Sequence, residues 1–330
     1  MVYHIIAGLC ALLLSMLGGY TLLPVLKKLR VGQTINELGP QNHMAKQGAL
    51  TMGGVSFLAA GLLCSLAFGF RYKNDHGQLL LYCVLCTLSF GLVGFVDDYL
   101  KVVRHRSEGL TVKQKLLPQI VLAIVFAVIA YASDSIGSGI MLPFTSKRLE
   151  LGVFYIPVAA FVIVAVDNSA NILDGLDGLL SSNSSIAFAA MSAYATYTGI
   201  VTENGSLMNT GVFCLCMCAA VFGFLRYNTH PAKMFMGDVG SLGIGGALAA
   251  VSIVSGSMLM LPFMLVTMMI SSLSDFAQVI YMRRHHGRKL MRMSPLHHHL
   301  ELGGMPETHV VSLYSTITLI GCAAAFILFM

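Results

Sequence analysis

Charged side chains are scarce in this sequence. Aspartate, glutamate, lysine and arginine together make up 11% of its 330 residues, while hydrophobic residues make up 56%. Ordinary globular proteins carry about 25% charged residues, which they need to cover a surface exposed to water. The shortage therefore excludes a soluble protein of this length. The same composition excludes a disordered chain, collagen, a coiled coil and a nucleic-acid-binding tail.

The cysteines do not show the spacing of a disulfide framework or a zinc site. All eight lie within apolar stretches: Cys10, Cys64, Cys83, Cys86, Cys214, Cys216, Cys218 and Cys322. The alternation at 214, 216 and 218 spreads three of them around a helix. We expect the cysteines to pack as small hydrophobic side chains.

Long apolar runs, in contrast, are abundant. Ten windows of about 20 residues are apolar enough to cross a membrane as helices. They are Tyr3–Pro24, Met52–Phe70, Leu79–Val96, Leu116–Ser133, Val153–Ala170, Ser181–Gly199, Asn209–Leu225, Ser241–Ser257, Met258–Met282 and Glu307–Met330. Pro262 and its polar neighbours predict a kink in the ninth window, and the loop 134–152 is long enough for a short hairpin. The predicted fold is an all-α polytopic membrane protein with about ten transmembrane helices, in a single integral-membrane domain over residues 1–330.

The few charges are distributed unevenly. Of the 20 lysines and arginines, only Arg71, Lys73, Lys147 and Arg148 fall on one side of the predicted spans. The positive-inside rule makes the opposite side cytoplasmic and places both termini in the periplasm. Most acidic residues and histidines also fall on the cytoplasmic side, although acidic residues contribute little to topology. This gathering predicts a metal- and phosphate-handling site at the cytoplasmic face.

Two stretches carry paired acidic residues at helical spacing. At 97–101, Asp97 and Lys101 are four residues apart and share a helix face. The two adjacent acids, Asp97 and Asp98, sit poorly at the negative end of a helix dipole, which favours a function such as binding a divalent cation or acting as a base beside one. At 168–178, Asn168 and Asn171 are followed on the same spacing by Asp174 and Asp177, each directly before a glycine that permits close backbone approach. An ordinary helix end and a glycine-rich turn are the structural alternatives.

Three further stretches have structural explanations of comparable weight. Residues 228–241 lead through glycines into a helix whose N-terminus could bind phosphate, although Asp238 could instead be an N-cap. The consecutive histidines at 297–299 could bind metal, but adjacent side chains do not share a helix face, so spacing alone favours a solvated loop. Lys46, in the stretch 43–54 that enters the second window, could contact phosphate or act only as a cytoplasmic anchor, and Lys113 and Lys115 carry the same ambiguity.

Taken in order, these five stretches resemble the polyprenyl-phosphate N-acetylhexosamine-1-phosphate transferase superfamily. The run 97–101 is similar to its DDxxK motif, and 168–178 and 228–241 are similar to NxxNxxDGxDGL and NxxPAKxFMGDxGS. The run 294–299 is similar to SPLHHH, which indicates the muramoyl branch. One departure is Ala49-Leu50, where many members have Thr-Pro; it concerns local loop shape, since Lys46 and Thr51 are present.

The resemblance implies a Mg²⁺-dependent enzyme of peptidoglycan synthesis in the bacterial inner membrane. Such an enzyme transfers phospho-N-acetylmuramoyl-pentapeptide from its UDP conjugate to undecaprenyl phosphate, forming lipid I and UMP. The nucleotide arrives from the cytoplasm and the polyprenyl chain stays among the membrane lipids, so their phosphates must meet at the cytoplasmic face. The sequence does not specify the oligomeric state, for which a homodimer is one alternative.

The resemblance also implies roles for individual residues. Asp238 and Asp98 would hold the metal, and Asp97 would deprotonate or orient the lipid phosphate. The catalytic group would comprise Asp97, Asp98, Lys101, Asp238, His297 and His298. Substrate binding would involve Lys46, Thr51, Lys113, Asn168, Asn171, Asp174, Asp177, Asn228, Phe235 and His299, with Phe235 stacking on uracil.

Alternatives stay open at this point. The lipid phosphate could attack the donor directly, which we favour because a phosphate is already anionic at neutral pH, or an aspartate could first form a covalent intermediate. The donor could be UDP-N-acetylglucosamine. Outside this reaction class, Asp275 within the ninth window keeps an ion-coupled transporter as a hypothesis, although no internal repeat supports it.

Overall fold

The computed structural model describes residues 2–29, 50–72, 77–104, 109–145 and 147–329. Within these ranges the chain is almost entirely helical. The helices are α1 (Val2–Lys28), α2 (Gly54–Phe68), α3 (Gln78–Arg104), α4 (Val112–Ala132), α5 (Tyr155–Leu173), α6 (Leu179–Val201), α7 (Gly205–Asn228), α8 (Gly237–Val254), α9 (Leu261–Met264), α10 (Val266–Arg284), α11 (Leu296–Leu302) and α12 (Glu307–Phe329). Short 3-10 turns at Gly152–Phe154 and Met258–Met260 precede α5 and α9.

The all-α polytopic membrane fold is confirmed, whereas the count of ten spans stays a prediction. Seven described helices are long and apolar enough to cross a membrane, or eight if the bent segment from Met258 to Arg284 is one span. Each predicted window overlaps a helix, but α2 has only 15 residues. The 23-residue α6 is rich in serine, threonine and tyrosine, and it is not among the helices that meet the length and composition criteria.

Two local predictions are confirmed. The ninth window is bent by 82° between Met258–Met264 and Val266–Arg284. The loop 134–152 contains an antiparallel hairpin of β1 (Gly139–Met141) and β2 (Arg148–Glu150), in which Ile140 pairs with Leu149.

Helix α8 forms the centre of the bundle, since nearly all of its side chains are buried among α2, α3 and α5. Small residues permit this close packing, as is common where lipid provides no hydrophobic driving force between helices. A Cβ atom at Gly94 of α3 would lie only 2.1 Å from the carbonyl oxygen of Asp238 in α8. The absence of a side chain at Gly94 therefore lets the C-terminal end of α3 approach the N-terminus of α8, where the acidic residues of both helices lie.

Candidate active site

Three carboxylates from two helices converge at this junction. Asp97 and Asp98 lie near the C-terminal end of α3, and Asp238 lies in the first turn of α8. One oxygen of each lies within 4.8 Å of the others. Asp97 and Asp98 are 2% and 1% exposed, so the cluster is largely shielded from bulk water.

Lys101 neutralises part of this charge. Its Nζ lies 2.6 Å from Asp97 Oδ2, 3.6 Å from Asp98 Oδ1 and 2.9 Å from Asp238 Oδ2. The predicted face shared by Asp97 and Lys101 is confirmed. The lysine also reaches across to α8, and this contact depends on the packing of α3 against α8 rather than on the local spacing.

A second lysine approaches the cluster from α4. Lys115 Nζ donates to Asp238 Oδ2 at 3.0 Å and to Asn171 Oδ1 at 2.9 Å. The Asn171 amide in turn donates to Asp238 Oδ1 at 2.8 Å and to Ser241 Oγ at 2.9 Å. Three carboxylates therefore face two ammonium groups, and Asn171 fixes the orientation of Asp238. The side chain of Lys113 is exposed, so the lysine that the fold brings to the cluster is Lys115.

A capping box sets where α4 begins and hence where Lys115 points. The Thr111 hydroxyl accepts a hydrogen bond from the Gln114 backbone N–H at 3.3 Å, and the Gln114 side chain accepts from the Thr111 N–H at 3.0 Å. Such reciprocal bonds satisfy two of the unpaired N–H groups at a helix N-terminus.

Besides lying near Lys101, Asp98 caps the N-terminus of α8. Its Oδ2 accepts the backbone N–H of Val239 at 3.0 Å and thereby caps α8 from another helix. A carboxylate at a helix N-terminus is stabilised by the unpaired N–H groups and the helix dipole. Gly237, with φ of +71°, makes room for it, because a Cβ there would lie 2.3 Å from Asp98 Oδ2 and 2.8 Å from Thr51 Oγ1.

The loop between α5 and α6 contacts the histidines of α11. A Cβ atom at Gly175 would lie 2.4 Å from His297 Nε2 and 2.9 Å from His298 Nε2. His298 Nδ1 lies 3.2 Å from Glu301 Oε2. Removal from bulk water, reinforced by repulsion from Asp238 and Asp98, raises the pKa of Asp174 well above its ordinary value. Two of the predicted histidines are thus brought to the loop that carries the predicted nucleotide-binding acids.

Two hydrogen bonds anchor this histidine segment to α10. Ser294 Oγ donates to Asp275 Oδ1 at 2.6 Å, and the Leu296 N–H donates to Ser274 Oγ at 2.8 Å. Asp275, which had kept a transporter hypothesis open, therefore has a local structural partner. His299 Nδ1 accepts a hydrogen bond from the Arg292 N–H at 3.0 Å and so ties α11 to the segment between α10 and α11.

Asp177 belongs to a separate polar group. Its Oδ2 lies 3.1 Å from His230 Nδ1 and accepts the Ala232 N–H at 3.0 Å. Glu307, at the start of α12, accepts the Asp177 N–H at 2.6 Å, and its other oxygen lies 3.2 Å from His230 Nδ1. This loop is therefore tied both to the segment that follows α7 and to the last helix.

The remaining predicted residues surround these groups. Asn228 is 1% exposed and is used internally, since it accepts from Ser181 Oγ at 2.6 Å and donates to the Met234 carbonyl at 3.2 Å. Asn168 donates to Gln119 Oε1 at 3.0 Å.

The strand-like segment at 50–53 fixes the backbone of Phe235. The Phe235 N–H donates to the Leu50 carbonyl at 2.7 Å, and the Phe235 carbonyl accepts the Gly53 N–H at 2.9 Å. The half-buried Phe235 and the buried Thr51 therefore lie beside the beginning of α8. Lys46 lies outside the described residues.

The carboxylate cluster fits a hard divalent cation. All three groups offer oxygen ligands, which Mg²⁺ and Ca²⁺ prefer, and they already surround a cationic group, the Lys101 ammonium. Asp238 and Asp98 would hold such an ion together with phosphate oxygens or water. The position is near the N-terminus of α8, which independently favours anions such as phosphate.

Sequence reasoning assigned no role in the site to four residues that the fold brings to these groups: Lys115, His230, Ser241 and Glu307. Lys115 had the same local signal as Lys113. Helical periodicity shows that the two side chains point in different directions, but it does not show which direction leads to the carboxylate cluster. His230 and Glu307 lie far apart in sequence, and no spacing rule connects them.

Comparison with known proteins shows to which family the chain belongs. The model of glycosyl transferase family 4 matches residues 80–256. A phospho-N-acetylmuramoyl-pentapeptide-transferase from a Thermoanaerobacter species is 39% identical over 322 residues, covering 98% of this chain and 97% of the relative. Relatives with the same name from Staphylococcus carnosus and Listeria monocytogenes are 40% and 38% identical, covering 96% and 94% of this chain and 96% and 93% of their own lengths. The chain therefore belongs to glycosyl transferase family 4, within the group of phospho-N-acetylmuramoyl-pentapeptide transferases.

Proposed function

We propose that this protein transfers phospho-N-acetylmuramoyl-pentapeptide from UDP to undecaprenyl phosphate, forming lipid I and releasing UMP. The observation that carries the proposal is the cluster of Asp97, Asp98 and Asp238 with two lysines at one end of an apolar helical bundle. The curated relatives that match nearly the whole chain carry the name of this activity. A phosphate-binding site at a membrane boundary is where a water-soluble nucleotide sugar and a lipid phosphate can meet.

We propose direct attack by the lipid phosphate. Its oxygen forms a bond to the phosphorus that carries the sugar, while the bond from that phosphorus to the UMP oxygen breaks. Asp97 is a poor nucleophile, because Oδ1 accepts the Leu110 N–H at 2.6 Å and Oδ2 contacts Lys101 at 2.6 Å. Its role is to orient the incoming phosphate through Lys101 and to accept a proton from it when the phosphate arrives protonated.

The two lysines hold the phosphates in line. Lys101 and Lys115 each contact Asp238 in this structure, and both can exchange that contact for a phosphate oxygen when the substrates bind. Mg²⁺ held by Asp238 and Asp98 would neutralise charge on the pyrophosphate and the leaving UMP. Asn171 keeps Asp238 in place through its amide. These residues lower the barrier by positioning and charge neutralisation.

The neighbouring loop receives the nucleotide and sugar. Asp174 and Asp177 contribute polar groups for the nucleotide, and Phe235 provides the surface on which uracil stacks. His297 and His298, which lie against Gly175, engage the pyrophosphate or the sugar. The phosphate-binding roles of Lys46 and Lys113 and the homodimer remain predictions.

We further propose ten membrane spans in one domain of the bacterial inner membrane, with both termini periplasmic and the carboxylate cluster at the cytoplasmic face. Single cysteines at Lys147 and Lys289 test this, because both positions are exposed while most native cysteines are buried. In intact spheroplasts, a membrane-impermeant maleimide should label Lys147→Cys, and Lys289→Cys should react only after permeabilisation. The opposite pattern would contradict the orientation.

The activity is tested with purified protein, undecaprenyl phosphate and either UDP-N-acetylmuramoyl-pentapeptide or UDP-N-acetylglucosamine. We expect lipid product and UMP from the muramoyl donor, and loss of turnover when Mg²⁺ is chelated. Asp97→Asn and Asp238→Asn should nearly abolish turnover, while Asp134→Asn, on the exposed loop after α4, should leave it unchanged. Product only from UDP-N-acetylglucosamine would assign the other donor, and normal turnover in either active-site variant would remove its proposed role.

A further inference from the structure

A second group of charged side chains joins three distant parts of the chain. Asp177 lies between α5 and α6, His230 follows α7, and Glu307 begins α12. The side chains of Asp177 and Glu307 are 1% and 8% exposed, whereas that of His230 is 42% exposed. The two carboxylates are therefore shielded from water, and the imidazole forms the outer side of the group.

The hydrogen bonds of this group define the role of each atom. His230 Nδ1 lies 3.1 Å from Asp177 Oδ2 and 3.2 Å from Glu307 Oε2. An ionised carboxylate oxygen can only accept a hydrogen bond, so the proton of the imidazole must be on Nδ1. This N–H group is shared between the Asp177 and Glu307 oxygens. Glu307 uses its other oxygen to accept the Asp177 backbone N–H at 2.6 Å. Glu307 thus holds the backbone of Asp177, and His230 holds its side chain.

This arrangement also connects the loop to the segment that leads into α8. Asp177 Oδ2 accepts the Ala232 N–H at 3.0 Å in addition to contacting the imidazole. The chain runs from His230 through Ala232 to Phe235 and Asp238 within nine residues. The position of Asp177 is consequently set relative to both the proposed stacking surface at Phe235 and the carboxylate cluster.

We propose that His230 and Glu307 are positioning residues for the nucleotide of the donor substrate, acting through Asp177. The inference rests on the proposed function, because it assigns Asp177 to nucleotide binding. Charged hydrogen bonds restrict the rotamer of Asp177 before the nucleotide arrives, and a side chain ordered in advance loses less entropy on binding. Both residues contact Asp177, in a group separate from the carboxylate cluster, so their loss should weaken donor binding more than it slows the chemical step.

The test measures steady-state kinetics of the purified full-length protein with the UDP donor varied and undecaprenyl phosphate held at saturation. Replacing His230 by alanine removes the shared N–H. Replacing Glu307 by glutamine keeps an acceptor for the Asp177 N–H but turns an amide NH₂ toward the Nδ1 proton. In both variants we expect the KM for the donor to rise about tenfold, as loss of one charged hydrogen bond can cause, with kcat within about threefold. UMP should inhibit each variant correspondingly less.

A double variant and a rescue variant separate positioning from general damage. If both residues act through Asp177, His230→Ala combined with Glu307→Gln should raise KM little beyond the larger single effect. His230→Asn should restore much of the affinity, because its amide can donate from a position close to that of Nδ1. Glu150→Gln makes the same chemical change at the outer hairpin, where Glu150 accepts from Ser138 Oγ, and should have no effect.

The outcomes distinguish this inference from the proposed function. A wild-type protein that neither turns over the muramoyl donor nor binds UMP would defeat the proposed function itself. An active wild type with unchanged KM in both His230→Ala and Glu307→Gln would overturn the positioning role. A fall in kcat at constant KM, or fully additive effects in the double variant, would overturn it as well.

Discussion

Replacing Gly237 by alanine should disturb the capping of α8 and the carboxylate cluster together. Gly237 has φ of +71°, and a Cβ there would lie 2.3 Å from Asp98 Oδ2. An alanine in this left-handed conformation costs about 1–2 kcal/mol. Displacing the Asp98 carboxylate from the Val239 N–H costs about 1.5–3 kcal/mol more. Stability should therefore fall by about 2.5–5 kcal/mol, the range given by these two effects.

Gly137 provides a matched control for the backbone cost alone. Its φ is +72°, and beyond its two chain neighbours no described atom lies within 4 Å of a Cβ built there. Gly137→Ala should lose only about 1–2 kcal/mol and keep full transferase activity. Gly237→Ala should unfold at a clearly lower temperature in detergent and lose at least about 100-fold in initial rate, since a shift of Asp98 disturbs the metal and phosphate site. Equal stability and equal activity in the two variants would refute the reasoning.

Two further substitutions test the residues around Asp238. Lys115→Met keeps roughly the length of the side chain but removes the ammonium that contacts Asn171 and Asp238, so kcat/KM should fall about 100-fold. The control Lys113→Met should lower kcat/KM by less than about tenfold. A larger effect at Lys113 than at Lys115 would reverse the assignment. Gly175→Ala would place Cβ 2.4 Å from His297 Nε2, so donor turnover should fall about tenfold through displacement of the histidines, and unchanged kinetics would show that their position beside this loop is not required.

The fold class could be predicted from sequence because the bilayer leaves little choice. An apolar run that enters lipid must satisfy its backbone groups internally, and outside closed barrels the helix does so. Each predicted window accordingly overlaps a helix. Helix α6 does not meet the hydropathy criterion for a span, although several of its polar side chains have partners within the protein: Asn183 Oδ1, for example, accepts a hydrogen bond from Thr267 Oγ1 at 3.1 Å. Such partners are invisible to a hydropathy average.

The local parts of the site were also predictable. The contact between Asp97 and Lys101 follows from helical spacing, and Gly237, directly before Asp238, indicates where α8 begins. The motifs named most of the residues that the fold brings together, because each motif is a continuous stretch whose local geometry is nearly fixed.

The sequence by itself determined that this is a helical membrane protein with acids, lysines and histidines gathered in a few short stretches. Only the tertiary structure decided which of them meet. In the folded protein Lys115 contacts Asp238, Asp98 caps α8, and Glu307 accepts a hydrogen bond from Asp177, which lies 130 positions away in the sequence. These contacts depend on how closely whole helices approach, which glycines such as Gly94 permit, and a spacing of three or four residues carries no information about that distance.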